Sequence, residues 1–338
     1  MERRFQDKPV NTTRIGMVLI PDFNLLAATA FLDGFRAANY LACTRLYEWS
    51  MLSHAGAEIR ASNGMIISAQ SLDHGSGGDD FDLVVINSSW TPEAHRNPEL
   101  LNWLRKQARA GARLGGLDTG PFLLGYAGLL GEASYVVHFE HIASVQEIFP
   151  DIRLHEGLFT HEGSRFSAAG GVAALDLALS MIGQDHGREL AQAAAFYVFH
   201  ERVRSEAERQ TDFYLAGGGE FPQSLSKALS MMRSNLEQPL KISEIADDLD
   251  ISQRQLDRIF IRYTGQSPVQ NYLEIRLSHA ERLVTQTDLN FLEVAIASGF
   301  SSREHFSRSY KKRFGLAPSE GRHRGRTPFQ FRADIPPR

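Results

Sequence analysis

Asp118 has the setting that most invites a chemical reading. It closes the run Leu114-Gly-Gly-Leu-Asp118 and is followed at once by Thr119-Gly-Pro121. An apolar strand that breaks sharply into a helix presents the residue at the break to a cleft at the strand ends, and Pro121 suits the first turn of the helix that follows. A carboxylate near a helix N-terminus is favoured as an anion, so the expected cleft has a negative wall and suits a cationic ligand. Its companions are Thr119, Asn24 ahead of the first helix, His138-Phe139-Glu140, and Trp90 just after the strand end Asn87-Ser-Ser. Aromatic rings beside a carboxylate hold quaternary ammonium or guanidinium groups through cation–π contact. Plainer roles stay open for each: Asp118 as a helix cap, Trp90 and Phe139 as core residues. An acid–base pair drawn from Asp118, His138 and Glu140 also stays open. His138 to His141 is the densest group among the 12 histidines, yet no metal site and no cofactor is expected. Gly217 to Gly219 is no phosphate loop, because no Lys-Ser/Thr follows.

The second chemistry is recognition of double-stranded DNA. Lys241 to Phe260 and Phe291 to Tyr310 each read as helix, turn, helix. In the first unit Ile242, Ile245, Ala246 and Leu249 share a face, and Ser252 with Gln255 forms a capping box ahead of a helix whose buried stripe is Leu256, Ile259 and Phe260. In the second, Leu292, Ala295 and Ile296 form the stripe, Gly299 makes the turn, Ser301 with Glu304 caps the next helix, and Phe306 and Tyr310 face inward. Pro268 to Thr287 is a continuous helical pattern between them, about 30 Å long. Successive major-groove segments on one face of DNA lie about 34 Å apart. Arg and Gln at the front of such helices pair with base edges, and Arg and Lys further along meet phosphates.

The front of the chain, which must position the first set of residues, reads as α/β. Strands are expected over 14–20, 47–53, 81–87, 112–117 and 165–167, with helices over 25–41, 98–110 and 173–182 and helical pattern from 185 to 209. Alternation of this kind predicts a parallel sheet covered on both faces, a flavodoxin-like sandwich. An all-α domain with two helix-turn-helix units follows. The expected boundaries are a ligand-sensing domain over 12–210, a linker over 211–222 carrying Gly217-Gly-Gly219 and Pro222, a DNA-binding domain over 223–321, and a mobile basic tail over 322–338.

Composition fits this division. The 338 residues carry a net charge of −4. Residues 1–220 hold 18 Lys+Arg against 27 Asp+Glu, net −9, and residues 221–338 hold 18 against 13, net +5. An acidic front and a basic back point to different partners. One cysteine, Cys43, excludes an internal disulfide and a cysteine zinc site. No apolar run reaches the roughly 18 residues of a membrane span, and no apolar signal segment follows Met1, so a cytoplasmic protein is expected.

Two resemblances join these readings. Ile245-Ala-x-x-Leu-x-Ile-Ser-x-Arg-x-Leu-x-Arg-x-Phe260, and the stretch from Val294-Ala through Gly299-Phe-Ser-Ser, Phe306-Ser-Arg and Phe314-Gly to Pro318, resemble the AraC/XylS regulators over about residues 225–320. That resemblance implies DNA-facing positions at Ser252, Gln253, Arg254 and Arg258, and at Ser302, Arg303, His305, Arg308 and Lys312. Asp250 departs from it, standing where small residues or Gly are frequent. The run Leu114 to Gly131, His138-Phe-Glu140 and Ala168 to Asp176 resemble the PfpI-like, class I glutamine-amidotransferase-like domain over about residues 14–210, and the whole resembles the GlxA-type branch of AraC regulators. The superfamily's enzymes carry a cysteine at the elbow, where this chain has Asp118. A carboxylate cannot replace a thiolate in amide chemistry, so a non-enzymatic sensor is expected. The alternative is an amidotransferase-like or hydrolase enzyme tethered to a DNA-binding domain. The resemblance implies effectors such as carnitine, betaine or arginine-like compounds. A homodimer, with Leu190 to Val203 as a dimer helix or plain core, is expected. So is RNA polymerase as a partner in activating genes for small amine or amino-acid catabolism.

Overall fold

A computed structural model describes residues 12–72, 81–206, 208, 210 and 222–325. The chain divides between Gln210 and Thr211 into two compact units. The linker expected over 211–222 lies outside the described residues except for Pro222, and so does the tail beyond Gly325.

The first unit is built on a sheet of seven described strands: β1 (Thr13–Leu19), β2 (Tyr47–Ser53), β5 (Gln70–Ser71), β6 (Leu83–Ser88), β7 (Arg113–Asp118), β10 (Phe159–Glu162) and β11 (Arg165–Ala168). Their order is β10-β11-β7-β6-β1-β2-β5. All pairs are parallel except the β10–β11 hairpin at one edge. Short strands β3 (Glu58–Arg60) with β4 (Ile66–Ser68), and β8 (Ser134–Tyr135) with β9 (Arg153–Leu154), form two satellite pairs. β6 is buried at every position, as a strand covered on both faces must be.

Helices α1 (Leu25–Ala42), α5 (Ala173–His186) and α6 (Arg188–Tyr197) pack on one face, where Phe31, Phe35, Leu177 and Ile182 join Met17, Val85 and Phe166 in one core. Helices α2 (Pro98–Arg109) and α3 (Gly120–Tyr126) cover the other, with Leu100, Leu104, Leu123 and Leu124 against Val18, Val84 and Leu114. A short α4 (Ile142–Ile148) adds a small cluster around Phe122. This is the α/β sandwich the alternation predicts. The order reverses between β1 and β6, so their C-terminal ends flank the crevice where such sheets bind ligands.

One expectation fails in this unit. The helical pattern from 185 to 209 is interrupted at Gly187 (φ 96°) and ends at Tyr197. Beyond it the backbone leaves the helix because buried Asp176 captures it. Asp176 accepts hydrogen bonds from the Arg204 backbone N–H (2.8 Å) and Nε (2.9 Å), and its Oδ1 lies 2.7 Å from His200 Nε2.

The second unit is all helical: α7 (Gln223–Ser234), α8 (Ile242–Asp248), α9 (Gln253–Thr264), α10 (Pro268–Gln286), α11 (Phe291–Ala297), α12 (Arg303–Phe314) and α13 (Pro318–Gly325). Leu225, Leu229 and Met232 of α7 close one core with Ile245, Leu256 and Phe260. Val294, Ala295, Phe300, Phe306 and Tyr310 are buried in the second half.

Here too the structure corrects three expectations. Leu292 and Ile296 are 51% and 49% exposed, because the two-turn α11 buries the face of Val294, Ala295 and Ser298. The cap of α12 is Ser302, which accepts from His305 N–H (3.1 Å), one residue later than the expected Ser301. Arg322 is not in a tail: α13 carries its guanidinium onto the Val284 and Leu289 carbonyls and over the Phe291 ring.

Candidate effector site and helix-turn-helix pair

Asp118 is the last residue of β7 and has φ 61°. Left-handed backbone is rare for a side chain larger than glycine, and Asp tolerates it better than most. The turn lets the chain double back into α3, and it lifts the carboxylate above the ends of β6 and β1. Asn24 reaches it from across the switch point, donating from Nδ2 to Asp118 Oδ2 (2.9 Å) while its own Oδ1 caps α1 at Ala27 N–H (3.1 Å). The Ser89 side chain also hydrogen-bonds to it.

Asp118 is nonetheless 4% exposed. Burial outweighs His138, Asn24 and Ser89, all of which favour the charged form, and the carboxyl is pushed up to about 6. Burial thus works against the anion that a helix N-terminus was expected to favour. α3 spans only seven residues, and its cap position is Thr119.

The other expected residues divide into near and structural. The His138 backbone N–H donates to the Asp118 carbonyl (3.2 Å), which seats the His138-Phe139-Glu140 turn beside the elbow. His138 Nδ1 accepts from the Glu140 N–H (3.4 Å), and its ring packs on Phe139 at 4.5 Å. All three side chains are half-buried, as is Trp90 beyond β6. Thr119 is fully buried and donates its hydroxyl to the Ser89 carbonyl (2.6 Å), tying the ends of β6 and β7 together rather than facing a cleft.

Sequence reasoning passed over Asn87, Ser88, Ser89 and Gly170. Asn87 and Ser88 are the last residues of β6, opposite Leu117 and Asp118. Asn87 Nδ2 donates to the Asn24 carbonyl (2.8 Å). Three polar residues ending an otherwise apolar strand were the available signal. Gly170 (φ 101°) passes so close that a Cβ there would lie 3.1 Å from Asp118 Oδ2. Among the described residues no group of three or more His, Cys, Asp or Glu could hold a metal.

In the second unit both helix-turn-helix pairs expose one face of their second helix. Gln253, Arg254 and Arg258 on α9 are exposed, as are Arg303, His305, Arg308 and Lys312 on α12. Ser252 and Ser302 sit at the N-caps of these helices, their hydroxyls spent on the Gln255 and His305 N–H groups. α10 joins the pairs with 19 residues, about 28 Å of helix. Arg276 on α10 secures the second turn by donating to the Ser298 (2.9 Å) and Gly299 (2.5 Å) carbonyls. Arg303, Arg308, Lys311, Ser307, Ser319 and Phe291 border a cavity of about 370 Å³ beside α12.

Residues 245–333 match the helix-turn-helix domain family. Over 315 residues, 92% of this chain and 84% of the relative, the chain is 35% identical to the HTH-type transcriptional regulator GbdR of Pseudomonas aeruginosa. It is 32% identical to the HTH-type transcriptional regulator GlxA of Rhizobium meliloti, covering 93% and 97%. This chain belongs to the GlxA-like regulators of the AraC type. The regulator is similar to the AraC family transcriptional regulator of Pseudomonas putida, at TM-score 0.51 and 28% identity over 55% of this chain and 99% of that one. A THiJ/PfpI family protein of Pseudomonas syringae aligns at TM-score 0.51 and 16% identity, over 71% and 91%, and shows the shared fold alone. A GlxA-like regulator is a DNA-binding transcription factor. No helix among the described residues is long and apolar enough to cross a membrane.

Proposed function

We propose that this regulator senses a small cationic effector at Asp118 and answers by changing how its two helix-turn-helix units engage DNA. The observation that carries the reading is the carboxylate itself: it stands at a left-handed elbow over the switch point, buried, and braced by Asn24 and Ser89. A cation gives such a group the partner that burial takes away. His138 and Glu140 lie near enough to act on its charge, and Phe139 and Trp90 are read here as the aromatic part of the same site. The domain binds and does not catalyse, because the elbow has no thiolate to attack an amide.

The effector shifts a pre-existing equilibrium between arrangements of the regulator. The protein acts as a homodimer, recruits RNA polymerase, and activates genes for breakdown of a small amine or amino acid. Gln253, Arg254, Arg258, Arg303, His305 and Arg308 read bases, and Lys312 meets phosphate.

Asp118→Ala tests the sensor half: a reporter should lose its effector response while basal footprints persist. Amide hydrolysis by the purified protein that ended with Asp118→Ala would show an enzyme instead. Arg254→Ala and Arg303→Ala test the DNA half. Each should weaken specific binding by about 1 to 3 kcal/mol, and unchanged footprints for both would refute the assignment.

A further inference from the structure

The non-helical stretch after α6 is gripped at two points before the chain leaves the first unit. Its described residues are 198–206, 208 and 210. The first grip is Asp176 of α5, fully buried, which accepts from the Arg204 N–H and Nε and lies 2.7 Å from His200 Nε2. The second is Gln210, also buried. Its Nε2 donates to the Val137 (3.0 Å) and Gly157 (2.9 Å) carbonyls, and its backbone N–H donates to the Glu156 carbonyl (3.2 Å). The first unit divides from the second directly after Gln210, where the expected linker begins.

Both grips trace back to the elbow. Val137 precedes His138, whose N–H donates to the Asp118 carbonyl (3.2 Å). Asp176 lies in the first turn of α5, and Gly170 feeds that turn, its carbonyl accepting from the Ala173 N–H (3.2 Å). Gly170 is also the residue whose Cβ would press on Asp118 Oδ2. Coupling travels through contiguous bonded and packed segments of this kind. The Gln210 grip is shallow as well. Nε2 spends its hydrogens on two carbonyls, while Oε1 has no hydrogen-bond partner among the described residues. A flipped amide would set its oxygen against those carbonyls, so the orientation is fixed. An acceptor buried unpaired offsets part of what the bonds contribute. A small shift of the 137–138 segment can then tip the balance between held and free.

We propose that the stretch gripped at Arg204 and Gln210 is the output strap of the first unit: a change at the Asp118 carboxyl loosens the Gln210 grip and frees the residue from which the linker starts. This rests on the reading of Asp118 as the effector site and adds how occupancy leaves it. An effector drives the change only if it binds the free-strap state better than the held one. The coupling is reciprocal, so loosening the strap alters what Asp118 binds by the same factor. An anchor that only closes the fold would not do that.

The test is hydrogen exchange on the full-length regulator, comparing the peptide over 198–210 with one over β1. Asp118→Ala takes away the side chain against which Gly170 packs and which attracts His138. The 198–210 amides should then exchange at least about fivefold faster than in wild type, with β1 unchanged. Gly170→Ala presses on the same carboxyl without deleting it and should act likewise, so it decides the matter if Asp118→Ala folds poorly. Wild-type exchange over 198–210, or equal acceleration in both peptides, would overturn the proposal. Choline, agmatine and L-arginine serve as cationic probes, with binding read by calorimetry. A probe that binds wild type but not Asp118→Ala should speed exchange over 198–210. It should also bind Gln210→Ala at least about fivefold more tightly, because the grip no longer has to be broken. A probe that leaves 198–210 unmoved, or binds Gln210→Ala as it binds wild type, would refute the strap and leave the effector reading standing. Failure of all three probes would sink the cationic reading, and exchange in Asp118→Ala and Gly170→Ala would still decide the strap.

Discussion

At the scale of single residues, the first unit loses stability to one carboxyl. Asp118 is moved from 3.8 to about 6 by burial, so between these values the folded chain holds its proton more tightly than the unfolded chain does. Stability therefore falls as pH rises through that window, and the full cost stands above pH 6, at most about 3 kcal/mol. Asp118→Asn should remove it. Urea denaturation at pH 7 should show the variant more stable by about 2 kcal/mol, with the gap closing towards pH 4. An equal gap at both values would refute the assignment. The same proton opposes a cationic effector, so affinity should rise from pH 5 to pH 7 in wild type. Gly170 stands over this carboxyl at φ 101°, where a Cβ would press to 3.1 Å from Asp118 Oδ2. Gly170→Ala should cost about 1 to 2 kcal/mol through backbone strain alone, seen in the same denaturation curves, and should displace Asp118 enough to weaken probe binding.

At the scale of elements, the two turns of the helix-turn-helix pairs solve one problem differently. Each places a left-handed residue after its first helix: Asp250 at φ 58° and Gly299 at φ 70°. Gly299 has no room for a side chain, because a Cβ would run into the Leu236 carbonyl and Pro239. Gly299→Ala should therefore cost about 2 to 4 kcal/mol, whereas Asp250→Gly should change stability by less than about 1 kcal/mol, the relief of strain offsetting the added freedom of the unfolded chain. Thermal unfolding of the pair checks this, and comparable losses in both would contradict it.

These turns also show what a sequence can reveal. Gly299 and the Ser-x-x-Gln spacing at Ser252 announced both units, since caps and turns are local chemistry. The cap at Ser302 was missed because Ser301 and Glu304 offer the same spacing one residue earlier. In the first unit, the β6 run from Leu83 and the elbow at Asp118 were legible from apolar periodicity and Gly-Pro punctuation. The chain of contacts from Asn87 through Asn24 to Asp118 was not, because 94 residues separate Asn24 from Asp118 and only the sheet order brings them together. Nor was the capture of Arg204 by Asp176, which overrides a helical pattern with a buried charge.

At the scale of the whole molecule, charge is divided along the chain. Net −9 over residues 1–220 and net +5 over 221–338 put the excess of positive charge in the back of the chain, which holds both helix-turn-helix pairs. Within it, Arg303, Arg308 and Lys311 border the cavity beside α12, and none of the three forms an ion pair among the described residues. Arg313, by contrast, is committed to Glu274 on α10. Cations that neutralise DNA phosphates reveal themselves as salt dependence of binding. Lys311→Ala should weaken binding of the full-length regulator to an arbitrary duplex and lower the slope of log K against log salt by about 1. Arg313→Ala should leave that slope unchanged, because its charge is already met by a carboxylate. A titration from low to physiological salt with the two variants side by side separates the outcomes. Equal slopes would mean that Lys311 stands clear of the DNA backbone.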